Sequence, residues 1–379
     1  MTPCCKITDG AGVDLSRVYL ERLGTLTITD QATENSDSLV ITLSDRDGKL
    51  KLPEEGETLS VALGYGSKLR NMGQFVVDSV RVKGPPDIVS LSGKAAPFTA
   101  AQGFKPFQTR KTRSWHLVKL GDLIRTVAAE AGMMAAVSPE YNGWLLKHLD
   151  QTNESDMNLL TRLARDWKAV MKPTCGYLVF VKRGEAKSVT GMSLEGITLT
   201  RAECSSWEYS RELRTKFGKA RTRYHDAQTG KTMRVTATGE TVITEEVNPD
   251  QIDDDGEESV YEHPLDHADE MGAQNAAMSM LDQMDRGAET IRVDFAGRPD
   301  IVAEGNVTLG KGFRSEMLGD WCIKTVTHTY TKSGFTTEVQ AETPGGEAGK
   351  KKKASKKKAS GASSTGANPV GDQVITEPA

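Results

Sequence analysis

Two histidines four positions apart, His263 and His267, with Asp266 beside the second, have types and spacing that could do chemistry. On one helical turn such a pair can share a metal ion. Pro264 opposes a regular helix through both, and no further ligand group stands close by. The stretch therefore fits a solvated helix start. Asp253, Asp254 and Asp255, followed by Gly256, Glu257 and Glu258, loosely resemble a calcium loop. They lack the alternating ligand spacing and the closing Glu of such a loop, so a mobile acidic loop is expected. Nucleophilic catalysis needs a base within reach of Ser, Cys or Thr. The six histidines are scattered, and no Gly-x-Ser-x-Gly elbow, phosphate loop or dinucleotide fingerprint occurs. Cys175 and Cys204 read as small core residues. No catalytic, cofactor-binding or metal-binding residue is nominated, and no cofactor is expected.

Lys350 to Lys353 and Lys356 to Lys358 form a basic cluster. Adjacent ammonium groups can displace counterions from a polyanion, or serve as a solvated tail or a handle for an acidic protein. The net charge of −4 gives no global bias toward nucleic acid, which is not an expected partner. Five cysteines is an odd number, and Cys175, Cys204 and Cys322 lie far apart, which fits free thiols in a reducing cytoplasm. No apolar run approaches the roughly 20 residues that cross a bilayer, so no membrane anchor is expected. The opening Met1-Thr2-Pro3-Cys4-Cys5 has no apolar signal region.

The elements that must position these residues are mostly strands. Thr25 to Thr29, Ser38 to Ser44, Leu59 to Leu63, Phe75 to Val82 and Ile88 to Leu91 alternate apolar and polar residues between turn signals such as Asp45-Arg46-Asp47-Gly48. Short strands without a convincing helix predict a β-barrel-like domain over residues 1–100. Ala95 to Ser114 reads as a connector. The period then changes. Leu120, Ile124, Val127, Ala128 and Ala131 predict a helix stopped by Gly132. Met157, Leu160, Leu163, Ala164 and Trp167 predict a second from about Ser155 to Ala169, capped by Asn153 or Ser155. With a strand at Tyr177 to Val181 these make an α+β module over residues 101–203.

Strand signals return from Cys204 to Gly239, with a hairpin around Ala227 to Gly230. A helix is predicted over 267–286, with Gly287 as its stop. Glu289 to Phe295, Gly305 to Leu309, Asp320 to Tyr330 and Phe335 to Ala341 close a second β-barrel-like domain over 204–344. No repeat of fixed short period is visible. Residues 345–379 are Lys-, Ser-, Gly- and Ala-rich and cannot bury enough apolar area to offset chain entropy, so a disordered tail is expected. The fold class is α+β, mainly β: two barrels, an inserted module and a tail.

The order of parts and several fragments resemble the late control protein D family of contractile-phage tail hubs. They are also similar to the amino-terminal hub region of VgrG spike proteins. The fragments are Gly24-Thr25-Leu26-Thr27-Ile28-Thr29-Asp30, Ser36-Asp37-Ser38-Leu39, Asp45-Arg46-Asp47-Gly48, Gly64-Tyr65, Gly84-Pro85-Pro86-Asp87 and Ser92-Gly93-Lys94-Ala95. The most specific is Leu120-Gly121-Asp122-Leu123-Ile124 followed by Gln151-Thr152-Asn153-Glu154-Ser155-Asp156 and Leu159-Leu160-Thr161-Arg162-Leu163-Ala164. Gly305-Asn306-Val307, Gly319-Asp320-Trp321, Val326-Thr327-His328 and Gly334-Phe335-Thr336-Thr337 match the closing barrel. Lys119 stands where the family often has Thr, and the Lys-rich tail has no fixed counterpart.

The resemblance implies a structural role: a homotrimer that joins a hexameric tail tube to a trimeric spike. Implied partners are the spike protein, the tube protein, the tape measure protein and other baseplate proteins. The implied location is the tail baseplate of a virion assembled in the host cytoplasm. No spike needle or lysozyme-like segment follows, so a separate spike protein is expected. An enzyme is not expected. Two other classes compete. A cell-wall hydrolase would need paired carboxylates in a cleft, which the sequence does not nominate. A nucleic-acid binder would act through the Lys-rich tail.

Overall fold

A computed structural model describes residues 2–32, 37–54, 56–95, 107–174, 177–184, 196–212, 218–226, 229–239, 241–247, 259–267 and 269–344. The acidic run 253–258, Cys175 and the Lys-rich tail lie outside the described residues. The amino-terminal part comprises β1 (Pro3–Asp9), α1 (Ser16–Arg22), β2 (Leu23–Gln31), β3 (Ser38–Ser44), β4 (Thr58–Tyr65), β5 (Lys68–Lys83) and β6 (Ile88–Ala95). Alternation in these strands sends Leu26, Ile28, Leu39, Ile41, Leu43, Leu59, Val61 and Leu63 into one core with Phe75. The short α1 was not expected from the sequence; only Tyr19 of it is buried.

The module follows with β7 (Arg110–Lys119), α2 (Leu120–Glu130), β8 (Met134–Val137), α3 (Pro139–Asn142), β9 (Leu145–Ser155), α4 (Asp156–Asp166), β10 (Ala169–Thr174) and β11 (Tyr177–Lys182). The Ser155 hydroxyl caps α4 by accepting from the Asn158 N–H at 3.2 Å. Leu160, Leu163 and Trp167 face the module core. Most of the stretch read as a connector is outside the described residues, but its end is β7, paired antiparallel with β9.

The remaining elements are β12 (Ile197–Leu199), β13 (Cys204–Arg211), β14 (Lys219–Asp226), β15 (Lys231–Thr238), β16 (Thr241–Glu246), β17 (Val260–His267), α5 (Glu270–Gly287), β18 (Glu289–Ala296), β19 (Asn306–Leu309), β20 (Gly319–Thr331) and β21 (Gly334–Glu342). Here the structure corrects two expectations. The run Cys204 to Gly239 divides: β13 joins the large sheet, whereas β14 and β15 belong to a separate four-stranded sheet with β16 and β17. That sheet packs its own small core, including Tyr224, Val235 and Ala237, against Ala273 and Ala277 of α5. The helix starts at Glu270, not His267, because the Asp269 carboxylate accepts from the Gly272 N–H at 2.8 Å and caps it there. β12, ahead of residue 204, already pairs with β19.

Both barrels lie in one continuous sheet, in the order β1-β4-β5-β6-β3-β2-β20-β21-β18-β13. The two halves repeat one plan. In chain order β2, β3, β5 and β6 are laid out β2-β3-β6-β5, and β13, β18, β20 and β21 are laid out β13-β18-β21-β20. The irregularities correspond too. The β2–β3 ladder shifts between Leu23 and Thr25, and the β13–β18 ladder shifts between Cys204 and Ser206. The β5–β6 ladder shifts between Val77 and Ser79, and the β20–β21 ladder shifts between Ile323 and Thr325. β4 flanks the first half of β5 as β19 flanks the first half of β20, and Gly73 and Gly319 stand at corresponding positions, opposite Val61 and Leu309. Both glycines have positive φ, +119° and +97°. Bulges add a residue and bend a strand, so matching bulges give the halves the same curvature as well as the same order.

Candidate functional site

The two barrels meet at a seam where β2 pairs antiparallel with β20, from Thr25 opposite Thr331 to Gln31 opposite Thr325. The alternation that makes each strand also fills the seam. Ile28 faces His328, and both are buried. The His328 ring stands 3.0 Å from the Thr337 hydroxyl, and burial holds its pKa down at about 4, so it is neutral at ordinary pH. Phe335 sits among the rings of Tyr65, His328 and Tyr330. The Tyr65 hydroxyl donates to the Gly297 carbonyl at 2.9 Å, tying the first barrel to the loop after β18. Aromatic side chains in tilted contact supply buried area and fix orientation.

At the carboxyl end of β2 the module is clamped to the seam. The Lys172 ammonium on β10 lies 2.6 Å from a carboxylate oxygen of Asp30 and 2.6 Å from one of Asp37. It also donates to the Gln31 carbonyl at 3.2 Å. The other Asp30 oxygen accepts from the Ala303 N–H at 2.9 Å, so one carboxylate bridges module, seam and second barrel. Burial and the neighbouring Asp30 carboxylate push Asp37 up to about 7, against the pull of Lys172. A second contact runs from the Gly184 N–H to Glu304 at 2.8 Å. A third joins helices: the Ser279 hydroxyl on α5 donates to the Arg165 carbonyl on α4 at 2.5 Å.

The residues read for metal chemistry are placed differently from the expectation. His263 and His267 lie on β17, with ring centroids 5.2 Å apart. They are not at a solvated helix start. Burial and the neighbouring His263 hold His267 down at about 4. Another histidine pair, not singled out in the sequence, lies across β7 and β9: His116 Nδ1 and His148 Nδ1 are 3.0 Å apart, and His148 Nε2 is 3.0 Å from Asp150. Ser114 donates to Asp150 and not to a histidine, so the group is no nucleophile–base pair. Among the described residues no group of three or more His, Cys, Asp or Glu is placed to hold a metal ion. Cys204 is half-buried and Cys322 buried, and burial pushes both thiols up, which suits packing rather than reactivity.

The comparisons agree with a structural part. The chain is 29% identical over 356 residues to the probable baseplate hub protein of Escherichia phage 186, covering 87% of this chain and 90% of that one. In fold it is similar to the 43 kDa tail protein of prophage MuSo2 from Shewanella oneidensis, at a TM-score of 0.63 and 13% identity. That match covers 90% of this chain and 98% of the other. A chain of the half-lidded Francisella PdpA–VgrG complex shares the fold at a TM-score of 0.51 and 6% identity, over 90% of this chain and 58% of its own length. The model of the phage tail baseplate hub (GPD) family matches residues 107–334. That span takes in the module, the separate sheet and the seam strand β20, and the chain belongs to the phage tail baseplate hub (GPD) family.

Proposed function

We propose that this chain is the symmetry adaptor of its baseplate hub, acting as a homotrimer between a hexameric tail tube and a trimeric spike. The observation that carries the reading is the internal repeat: two barrels with one strand order and matching bulges, fused through the β2–β20 ladder. Three copies in a closed ring offer six like units to one neighbour and three chains to the other, with successive units turned by roughly sixty degrees. The role is mechanical, and no turnover of a substrate is part of it. The module, held by Lys172 at the carboxyl end of β2 in the seam, faces outward in such a ring and is free to meet other baseplate proteins. Tube, spike and tape measure proteins are the further partners, in the tail baseplate of a virion assembled in the host cytoplasm.

The test is the mass of the full chain in solution, followed by capture of the tube and spike proteins of the same particle. A trimer that binds both is expected. A stable monomer or dimer that nonetheless binds the spike ends the adaptor reading.

A further inference from the structure

The seam specifies a second ladder. Within the chain, β2 pairs with the second half of β20. In the repeat β2 corresponds to β13 and β20 to β5, so the same ladder with the roles exchanged joins β13 to the second half of β5. One chain cannot make it, because β13 and β5 lie toward opposite ends of the sheet. Both borders are open among the described residues. β13 pairs only with β18. Ser79 to Lys83 pair only with β6, since β4 stops at Val76 and the Glu57 contact at Val77.

The ladder shifts fix the register. Thr25 to Asp30 correspond to Ser206 to Arg211, and Thr325 to Thr329 correspond to Ser79 to Lys83. Carrying over the seam pairs sets Glu208 opposite Lys83, Tyr209 opposite Val82 and Ser210 opposite Arg81.

Two observations that did not enter the alignment agree with this register. The first is which way the side chains face. Val82 pairs with the buried Val89 and lies on the core side of β5, yet it is 55% exposed. Tyr209 lies on the core side of β13 against the Trp321 ring, and its neighbour on that face, Trp207, is 36% exposed. Their counterparts at the seam, His328, Ile28 and Leu26, are all buried. The apolar residues at these two borders are uncovered where an adjoining strand is missing. The second is charge. Glu208 meets Lys83 and Ser210 meets Arg81, with no like charges opposed. Directly opposed unlike charges favour a pairing and like charges disfavour it.

We infer that the outer border of β13 in one copy pairs antiparallel with Ser79 to Lys83 of β5 in the next copy, with Glu208 facing Lys83 and Tyr209 facing Val82. The partner is a second copy of this chain, joined head to tail; the inference rests on the trimer proposed above and names its contact. A heterologous contact of this kind closes when the rotation closes, and it covers both of the borders named here.

The full chain carrying Ser210→Cys and Arg81→Cys tests this under mild oxidation. Side chains opposed in a ladder are close enough for a disulfide. Expected is a covalent trimer on a non-reducing gel, absent from both single variants and from the offset pair Glu208→Cys with Arg81→Cys. A trimer by mass with no specific cross-link overturns the ladder and leaves the trimer standing. A chain that is monomeric by mass overturns both. Should the cysteine pair impair folding, charge exchange gives a second reading. Glu208→Lys should weaken assembly by about five-fold and Lys83→Glu should restore it in the double variant. No rescue overturns the register.

Discussion

Ile28 and His328 face each other across the β2–β20 ladder that joins the two barrels, 2% and 0% exposed. A branched aliphatic side chain and a neutral imidazole share a site that neither barrel could seal alone. Cutting Ile28 back should therefore cost more than a surface change. Ile28→Ala is expected to destabilise by about 2–5 kcal/mol in denaturant titration. The same midpoint as the parent would mean the seam is not packed.

Lys172→Ala should leave the half-buried Asp30 and Asp37 facing each other with no cation between them. Removing one partner of a fully buried charge group costs about 3–5 kcal/mol, and a smaller loss is expected at this half-buried site. Asp37→Asn in the same chain should recover part of that loss. Limited proteolysis is the direct measurement, with faster cleavage between the module and the sheet expected for the single variant and slower for the double.

Asp166 gives a pH prediction with a definite sign. Burial pushes its carboxyl up to about 6 from 3.8, against the pull of His263, Arg162 and Arg165. Between those values the folded chain keeps a proton that the unfolded chain has released. Its contribution to stability therefore falls as pH rises from about 4 to about 6 and stays low above that. Asp166→Asn should raise stability by about 1–3 kcal/mol at pH 7.5 and change little near pH 4. His267, held down at about 4, works in the opposite sense, so the difference between variant and parent is the quantity to measure. An equal gain at both pH values would reject the titration account.

Gly73 and Gly319 hold corresponding positive-φ positions in the two halves. Alanine at either should be destabilising by more than about 1 kcal/mol, since an L side chain rarely adopts that backbone. The midpoints of Gly73→Ala and Gly319→Ala should fall together. A neutral result at one of them would show that the halves differ there.

Leu163 is buried in the module core. Leu163→Ala should lower the denaturant midpoint by the equivalent of about 2–5 kcal/mol. An unchanged midpoint would place the stripe against solvent.

The strands of both barrels and helices α2 and α4 were legible in the sequence because each carries its own apolar period, and α4 its own cap as well. Ser155 is an example: its hydroxyl, the acidic first turn and the apolar stripe all point to the same helix. The seam was not legible. Nothing near Thr25 to Gln31 encodes a partner in Thr325 to Thr331, because pairing at that separation is decided by packing. The repeat was hidden for a related reason. Corresponding positions share their direction into or out of the core, not their residue types, as with Leu26 and Trp207 or Thr27 and Glu208. The helix starts at Glu270 and not at the predicted His267, because Asp269 supplies the cap. The family fragments named the hub; the contact between Lys172 and the two aspartates needed the structure.

The distance along the chain between the two sides of the seam also sets a timetable. β2 leaves the ribosome early, and its partner β20 is completed about 300 residues later, which at ~5–20 residues per second is roughly 15–60 s. For that interval the backbone edge of β2 that β20 will pair has no partner strand from its own chain. The charge on Asp30 near the end of β2 is the kind of residue that discourages a stray strand from adding there. Lys172 and then the Ala303 N–H, both ahead of β20 in the chain, take up the same carboxylate. Asp30 thus acts first as a guard on a nascent edge and afterwards as a joint in the finished particle.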